Sequence, residues 1–557
     1  MNRSSSEICC SSLPRFSFGQ KKIKDLLVFR VLIIDIFKIP FLTALTKFTT
    51  GGIRMEQREQ LQRTLKPSWV WAIAFGSAVG WGAFVLPVDW MGMAGPLGVI
   101  IGFSIGALLM IIIAFSYGFL VEKLPISGGE FTYAYFGLGR YHSFICGWFL
   151  TLGYMSIVAL NASALALLGK FVLPSIVEQG FMYSIAGWEV YAGEVVVACI
   201  ALVVFAFINI RGADLSGFSQ LVFCIALIGG LALLTIGMLL HPSSSMTNMQ
   251  PLFNPGVGTM SSIIAILAIA PWAYIGFSNI PQAAEEFNFS PKKSFKLIVV
   301  ALLCAAAAYC LVIIATGVGQ SWTSAVEAGS IWGTGTIVKN AYGMWGVILL
   351  SFALLMGIFT GLNGFYSSTS RLLFAMGRAK VLPAAFGKLH PKYKTPHIGI
   401  LFTLAVTLFA PLFGRQALLW VVDMSALGVT IAYFYTCFVA YRLFKWSDSS
   451  KSSPRGISIV APVRKFLSLL GVITSIVFIL LLVVPGSPGF LSAPSWIALA
   501  IWVGLGGIFF LTRFKNYSAI PKDVMDHYVL GDYVDKQAAD VLDPDGLAPV
   551  AATSEGV

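Results

Sequence analysis

The stretch Gly76-Ser77-Ala78-Val79-Gly80-Trp81-Gly82-Ala83-Phe84-Val85-Leu86-Pro87 sits inside a long apolar run, yet three glycines and a proline fall within it. In a helix interior Gly costs about 1 kcal/mol and Pro about 3 kcal/mol relative to Ala. The segment is therefore a poor helix. Its surroundings have the length of a bilayer-crossing helix, roughly 20 apolar residues. At membrane depth, freed backbone groups are tolerated only where they line a cavity or are buried in protein. Close packing of helices through small residues is the other reading of such a stretch.

A second interruption weighs against packing alone. Ala268-Ile269-Ala270-Pro271-Trp272-Ala273-Tyr274-Ile275-Gly276-Phe277 again places Pro and Gly in mid-span, five spans after the first. Interrupted helices at corresponding positions of two halves mark the binding site of an inverted-repeat transporter. An odd number of spans per repeat turns the second copy over. A half-helix restarting after Gly80-Trp81-Gly82 exposes N–H groups and a positive dipole end that suit a carboxylate. The half-helices that stop before the breaks leave carbonyls for an ammonium group or a cation. Glycine lets backbone approach a ligand closely. Such a site suits an α-amino acid.

The whole chain supports the membrane reading. Of its 557 residues 57% are hydrophobic and 11% charged, with mean hydropathy +0.82. A soluble domain carries about 25% charged residues. Twelve spans are predicted, at 69–91, 96–121, 143–173, 191–209, 214–240, 259–279, 294–318, 341–376, 397–413, 416–441, 466–485 and 494–512. With both termini in the cytoplasm, 12 Lys/Arg precede residue 69, 22 lie in later inside segments, and only Lys170, Lys339 and Arg415 lie outside. This bias sets orientation, predicting a multi-pass protein of the cell (inner) membrane with cytoplasmic N- and C-termini. It also accounts for the net charge of +12 without a nucleic-acid partner. The partners expected are the lipid bilayer and a small molecule, with the protein a monomer or homodimer. The eight cysteines contain no CxxC and read as small packing residues.

The ends are distinct. Residues 1–68 form a cytoplasmic N-terminal segment. Within it Asp25–Thr46 is apolar but broken by Arg30, Asp35, Lys38 and Pro40. It reads either as an interfacial amphipathic helix or as untranslated sequence before a start at Met55, which would leave 1–54 out of the native protein. Residues 513–557 read as a flexible acidic tail.

The motifs resemble those of the amino acid–polyamine–organocation (APC) superfamily of amino acid permeases. Gly76–Pro87 resembles its first-helix motif. Leu124-Pro125-Ile126-Ser127-Gly128-Gly129-Glu130-Phe131-Thr132-Tyr133 resembles its loop between helices 2 and 3. Asn209-Ile210-Arg211-Gly212 with Gln220 resembles the entry to helix 5. Ala284-Glu285-Glu286 resembles the acidic loop after helix 6, and Ser370-Arg371 to Met376 with Leu382-Pro383 the end of helix 8. The resemblance implies an all-α membrane protein of twelve helices. Its 5+5 inverted-repeat core would fall at 69–240 and 259–442 with helices 1 and 6 discontinuous, and two extra helices would lie at 466–512. It implies import or exchange of amino acids by alternating access, with amine or polyamine transport as the variant within the fold. The family's Gly-Ser-Gly is Gly80-Trp81-Gly82 here. The helix 5 lysine of some proton-coupled members is replaced by Ala226. Thr360 lies near the hydroxyl position of sodium-coupled relatives, and Gly361 is its rival for that place.

The candidate substrate residues are Ser77, Val79, Gly80, Trp81, Gly82, Ala83, Ala270, Trp272, Ala273, Tyr274 and Gly276, with Phe277 beside them. Candidates for coupling or gating are Thr360, Asn363, Glu130, Glu285 and Asp423. Glu122 and Glu130 flank the Ser127-Gly128-Gly129 turn and are expected to pair with Lys123 or Arg371. Asp423 is expected to cap a helix or pair with Arg415, and Glu285 with Glu286 to meet basic residues. Asp89 near Pro87 is expected as a solvated end charge. No cofactor or metal is expected, only H+ or Na+ as a coupling ion. The scarcity of charge in mid-span disfavours a cationic substrate and favours a neutral side chain. A membrane enzyme is disfavoured, since the histidines lie in loops or at span ends and HExxH is absent. An amino acid sensor on a transporter fold is the reading from another class.

Overall fold

The computed structural model describes residues 58–185, 187–447 and 460–531, all within the unit Met55–Val557. Both readings of residues 1–54, and the tail beyond 531, lie outside the described residues. The described chain is nearly all helical, with one two-stranded hairpin. Eleven of its helices are long and apolar enough to cross a membrane.

The first span is α1 (Pro67–Val79) and α2 (Gly82–Val85), separated at Gly80. It is followed by α3 (Pro87–Lys123), which bends at Gly95 where φ is +70°. Gly95 and Pro96 mark the border the sequence places between spans 1 and 2. Next come α4 (Glu130–Leu138), α5 (Arg140–Val172), the hairpin β1 (Phe181–Ile185) and β2 (Trp188–Tyr191), α6 (Ala192–Arg211) and α7 (Ala213–Leu240). The second half opens with α8 (Thr259–Ala273), a 3₁₀ turn Ile275–Ser278 and α9 (Asn279–Gln282). It continues through α10 (Ser294–Gly319), α11 (Gly333–Arg378), α12 (His397–Thr407), α13 (Gly414–Ser447), α14 (Val460–Val483), α15 (Ala493–Ser518) and α16 (Lys522–Leu530).

One expected span departs from the prediction. Over 397–413 the helix stops at Thr407 and resumes as a 3₁₀ turn, Ala410–Phe413, with Pro411 inside that turn and Gly414 at φ +65° after it. The expected tail departs as well. The last long helix runs on to Ser518, and α16 buries Val524, Met525, Tyr528, Val529 and Leu530. Tyr135 of α4 donates to Asp526 at 2.6 Å, and Arg58 donates to the Tyr528 carbonyl. The residues 522–530 are therefore docked.

Burial ranks the helices. The apolar window of α5 is 83% buried and that of α15 only 17%, so α5 is central and α15 peripheral. Peripheral helices expose Val196, Ile200 and Phe207 on α6 and Ile497, Ile501 and Leu511 on α15. Bands of this kind on a helix surface need lipid against them. At the hairpin end, Lys170 is buried against Glu194 at 3.0 Å and under the Trp188 ring at 4.0 Å. It is a paired charge, and it ties β2 to the end of α5.

Candidate functional site

The first break is set by Gly80, whose φ of +46° favours glycine. Its N–H still reaches Gly76 O at 3.2 Å, after which the helix stops. Among the described residues no backbone acceptor faces the N–H groups of Trp81, Gly82 and Ala83. The second break runs from Tyr274 through Ile275–Ser278, where the α-helical ladder tightens to 3₁₀. The two breaks touch backbone to backbone, because a Cβ on Gly276 would strike Ala74 O and Ala78 N. Trp272 lies over Gly82, where an added Cβ would come within 2.6 Å of its ring. Trp81 meets Trp272 edge to face at 6.0 Å between centroids. Gly80, Trp81, Gly82, Trp272 and Gly276 are thus brought together.

Several expected residues serve packing in this arrangement. The side chains of Val79 and Ala83 are buried, Ala83 keeping only its backbone N–H at the break, and Ala270 abuts Gly106 of α3. Tyr274 turns from the break and donates to Phe103 O at 2.9 Å. Phe277 stacks on Tyr433.

Side chains from elsewhere in the fold meet carbonyls at and before the breaks. The Tyr309 hydroxyl of α10 lies 2.8 Å from Ala78 O and 3.0 Å from Ala273 O, one carbonyl from each break. Trp332 Nε1 donates to Phe84 O at 2.9 Å, and Gln220 Nε2 to Ala72 O at 3.2 Å. Thr360 Oγ1 lies 2.9 Å from both Gly76 O and Gly357 O. Asn363 gathers Asn209, Ser216 and Gln220 into one buried network, donating to Gln220 Oε1 at 2.8 Å and accepting from Asn209 at 3.0 Å.

Other buried polar atoms have no partner. Ser77 Oγ, both side-chain atoms of Asn279 and Asn161 Oδ1 are buried without a hydrogen bond. Ser77 and Asn279 converge beside Gly364, and Asn161 lies against Gly361. An orphaned buried polar group costs about 1–3 kcal/mol, so a cluster of them marks a place for water or a polar ligand. Sequence reasoning picked out only Ser77 of these. Tyr309, Asn279 and Asn161 were missed, because a lone polar residue in an apolar run carries no signal of its aim.

The end of the bundle that holds residues 58–66 is tied by charge. Arg378 grips Glu285 through two nitrogens at 3.1 Å, and Arg58 stands 3.6 Å from it. The N–H groups of Ser127 and Leu61 also donate to Glu285. Burial alone would raise its pKa, but Arg378, then Arg58, and these hydrogen bonds hold it down at about 2. Glu286 pairs with Arg371, which also donates to Ser367. The expected partners of Glu130 are corrected here: Arg371 is engaged by Glu286, and Glu130 accepts from Tyr117 at 3.0 Å and Gln282 at 2.6 Å. Asp423 accepts from the N–H and hydroxyl of Ser492 and from Ser495. It caps the start of α15. The Arg415 side chain lies outside the described residues. Asp89 is exposed in the first turn of α3.

Among the described residues, three cavities lie away from the breaks, whose residues line none of these three. The first, about 460 Å³, is an apolar groove between α5 and α15 flanked by Phe144, Trp148 and Phe510. One of about 310 Å³ opens beside Arg211, Lys392 and Thr395, and one of about 200 Å³ lies between α5 and the 397–413 segment. The meeting point of the breaks is filled by Trp272. Among the described residues no group of three or more His, Cys, Asp or Glu is placed to hold a metal.

A sequence profile described as amino acid permease matches residues 66–507. A branched-chain amino acid permease of Bacillus subtilis is 27% identical over 354 residues, 62% of this chain and 73% of that protein. A methylthioribose transporter of the same organism is 25% identical over 474 residues, 83% of this chain and 96% of its own. A serine/threonine exchanger, also from Bacillus subtilis, is 25% identical over 404 residues, covering 72% and 86%.

Proposed function

From a chain that belongs to the amino acid permease family and crosses the membrane many times, we infer a secondary transporter for amino acids with neutral side chains, working by alternating access. The observation that carries this reading is the meeting of two broken helices. Unpaired N–H groups of Trp81, Gly82 and Ala83 lie on one side, and the Ala78 and Ala273 carbonyls on the other. The N–H groups suit a carboxylate and the carbonyls an ammonium group. The Tyr309 hydroxyl holds both carbonyls while the site is closed, and the substrate's ammonium takes its place. Trp272 moves off Gly82 on the same event. The residues of both breaks carry no charge, which leaves a cationic side chain without a partner. The orphaned Ser77, Asn279 and Asn161 favour a small substrate able to form hydrogen bonds. Methylthioribose, named for one relative, is neutral and rich in hydroxyls. That makes a polar solute without the amino acid moiety the second reading.

The finer architecture belongs to the same proposal: twelve spans counting 397–413, two inverted repeats of five, and cytoplasmic termini. In that orientation the Glu285 and Glu286 pairs close the cytoplasmic side.

The test is a thermal-stability screen of purified protein against the twenty amino acids, common amines and methylthioribose, followed by counterflow in proteoliposomes. A ligand at one hundred times its Kd stabilises by about 2.7 kcal/mol. A shift with a neutral amino acid together with counterflow supports the reading. Binding without counterflow identifies a sensor, and a shift with amines alone overturns the carboxylate assignment.

Sodium is tested at Thr360, whose hydroxyl bonds Gly76 O at the break. If sodium drives transport there, T360A raises the sodium concentration needed for half-maximal uptake about tenfold, equivalent to about 1.4 kcal/mol of binding. Sodium-independent uptake by the wild-type protein removes the ion from this position.

A further inference from the structure

Glu130 is fully buried at the start of α4. Among the described residues no cation pairs with it. The groups facing it are all neutral in their ordinary forms: Tyr117 of α3, Tyr133 of its own helix, Cys146 and Tyr154 of α5, and Tyr433 of α13. On α11 the arginines Arg371 and Arg378 are committed to Glu286 and Glu285. On α16 Asp526 bonds Tyr135. A carboxylate with no counter-charge in such a place is costly, whereas the neutral acid is not.

The contacts with α9 give the site its hinge. The Ser127–Gly129 turn seats against α9 through Gly129, at φ +42°, where a Cβ would lie 2.9 Å from the Gln282 amide, and through the Gly128 carbonyl, which accepts from Gln282 Nε2 at 3.4 Å. The Gln282 side chain bonds Glu130 through Nε2, while its Oε1 is buried without a donor. Amide oxygen and nitrogen are interchangeable by a flip. Turned over, Oε1 sits against the carboxyl, and that contact requires a proton between the two oxygens. The unsatisfied acceptor is thus already beside the group that would satisfy it.

We propose that Glu130 is the proton-binding site of the transport cycle, a neutral acid while the turn is packed on α9 and a carboxylate once α9 moves away and water reaches it. On opening, the O–H bond breaks, the carboxylate keeps the electron pair and water accepts the proton. Closing reverses the step. The proposal rests on the transporter reading and extends it to the coupling ion. Burial pushes the Glu130 pKa up to about 7 from its ordinary 4.5, against the hydrogen bonds that pull it down. The sign follows from linkage. The packed state binds the proton more tightly than an open one, so its advantage is full below about pH 4.5 and fades as pH rises through about 7.

The experiment has two arms. Difference infrared spectroscopy of purified protein, titrated between about pH 5.5 and about pH 8.5, reads the protonated-carboxyl stretch and needs no substrate. The wild-type protein is expected to show one buried carboxyl titrating near neutrality, which the isosteric E130Q variant lacks. The Q282L variant, having lost a donor to the carboxylate, should titrate at higher pH. A band unchanged in E130Q, no band in the wild type, or an unmoved midpoint in Q282L overturns the proposal. The second arm is uptake of radiolabelled L-leucine and L-threonine into proteoliposomes over the same range. Wild-type uptake should depend on pH severalfold, and whatever uptake E130Q supports should lose that dependence. A pH slope kept by E130Q, or absent from the wild type, overturns it. If the wild-type protein shows no counterflow with any amino acid, the transporter reading itself fails, and the infrared arm alone decides whether Glu130 binds the proton.

Discussion

Gly82→Leu is expected to reduce uptake to background, on the order of 100-fold or more, while the protein still inserts and reaches the membrane in normal amounts. The Cβ alone would come within 2.6 Å of the Trp272 ring, and the rest of the leucine would occupy the space where backbone N–H groups meet a ligand. Leucine is more apolar than glycine, so insertion of span 1 has no reason to fail. Gly82→Ala separates the two effects. It adds only the Cβ, which the Trp272 ring can yield to by turning, so it should retain measurable uptake with a raised KM. Pairing it with Trp272→Leu should recover part of the loss. Surface labelling alongside uptake makes the measurement. Normal uptake by Gly82→Leu would mean that the glycines of span 1 serve helix packing alone.

The second large effect concerns Glu286 and Arg371, which are 2% and 6% exposed. Removing either partner strands a buried charge and should cost about 3–5 kcal/mol, whereas exchanging both for apolar residues of similar volume should be nearly neutral for stability. Arg371→Met and Glu286→Met singly are therefore expected to lower the unfolding midpoint in detergent markedly. The double variant should recover most of it. The double variant should still transport poorly, because it closes that end with contacts that no longer come apart into two solvated ions. Equal stability of wild type and both single variants would show that the pair is solvated in the working protein.

Much of this was legible from the residues. The breaks were visible because Gly80, Gly82, Pro271 and Gly276 are conspicuous in an apolar run, and the Gly95-Pro96 bend fell at a predicted border. Partnerships across the fold were not. Tyr309 is one tyrosine in an apolar helix, 231 positions from the Ala78 carbonyl it bonds. Its role depends on how α10 crosses both breaks. The pairing of Glu130 was misjudged because its neighbourhood has cations in sequence but tyrosines and an amide in space. The seventeen residues of 397–413 were apolar enough to read as a span, but Pro411 and Gly414 tighten and end the helix. The docked helix α16 was hidden by the acidic residues around it. Its buried Val524, Met525, Tyr528 and Val529 sit on one helical face, and counting aspartates obscures that spacing.

That helix has a practical use. Nine residues are too few to hold a helix alone in water, so α16 exists only while Tyr135, Arg58 and the end of α11 give it a surface. Its amide protons are therefore a clock. Each excursion that parts those supports exposes them to exchange, and deuterium uptake in one short peptide near the end of the chain times how often this side of the protein comes undone.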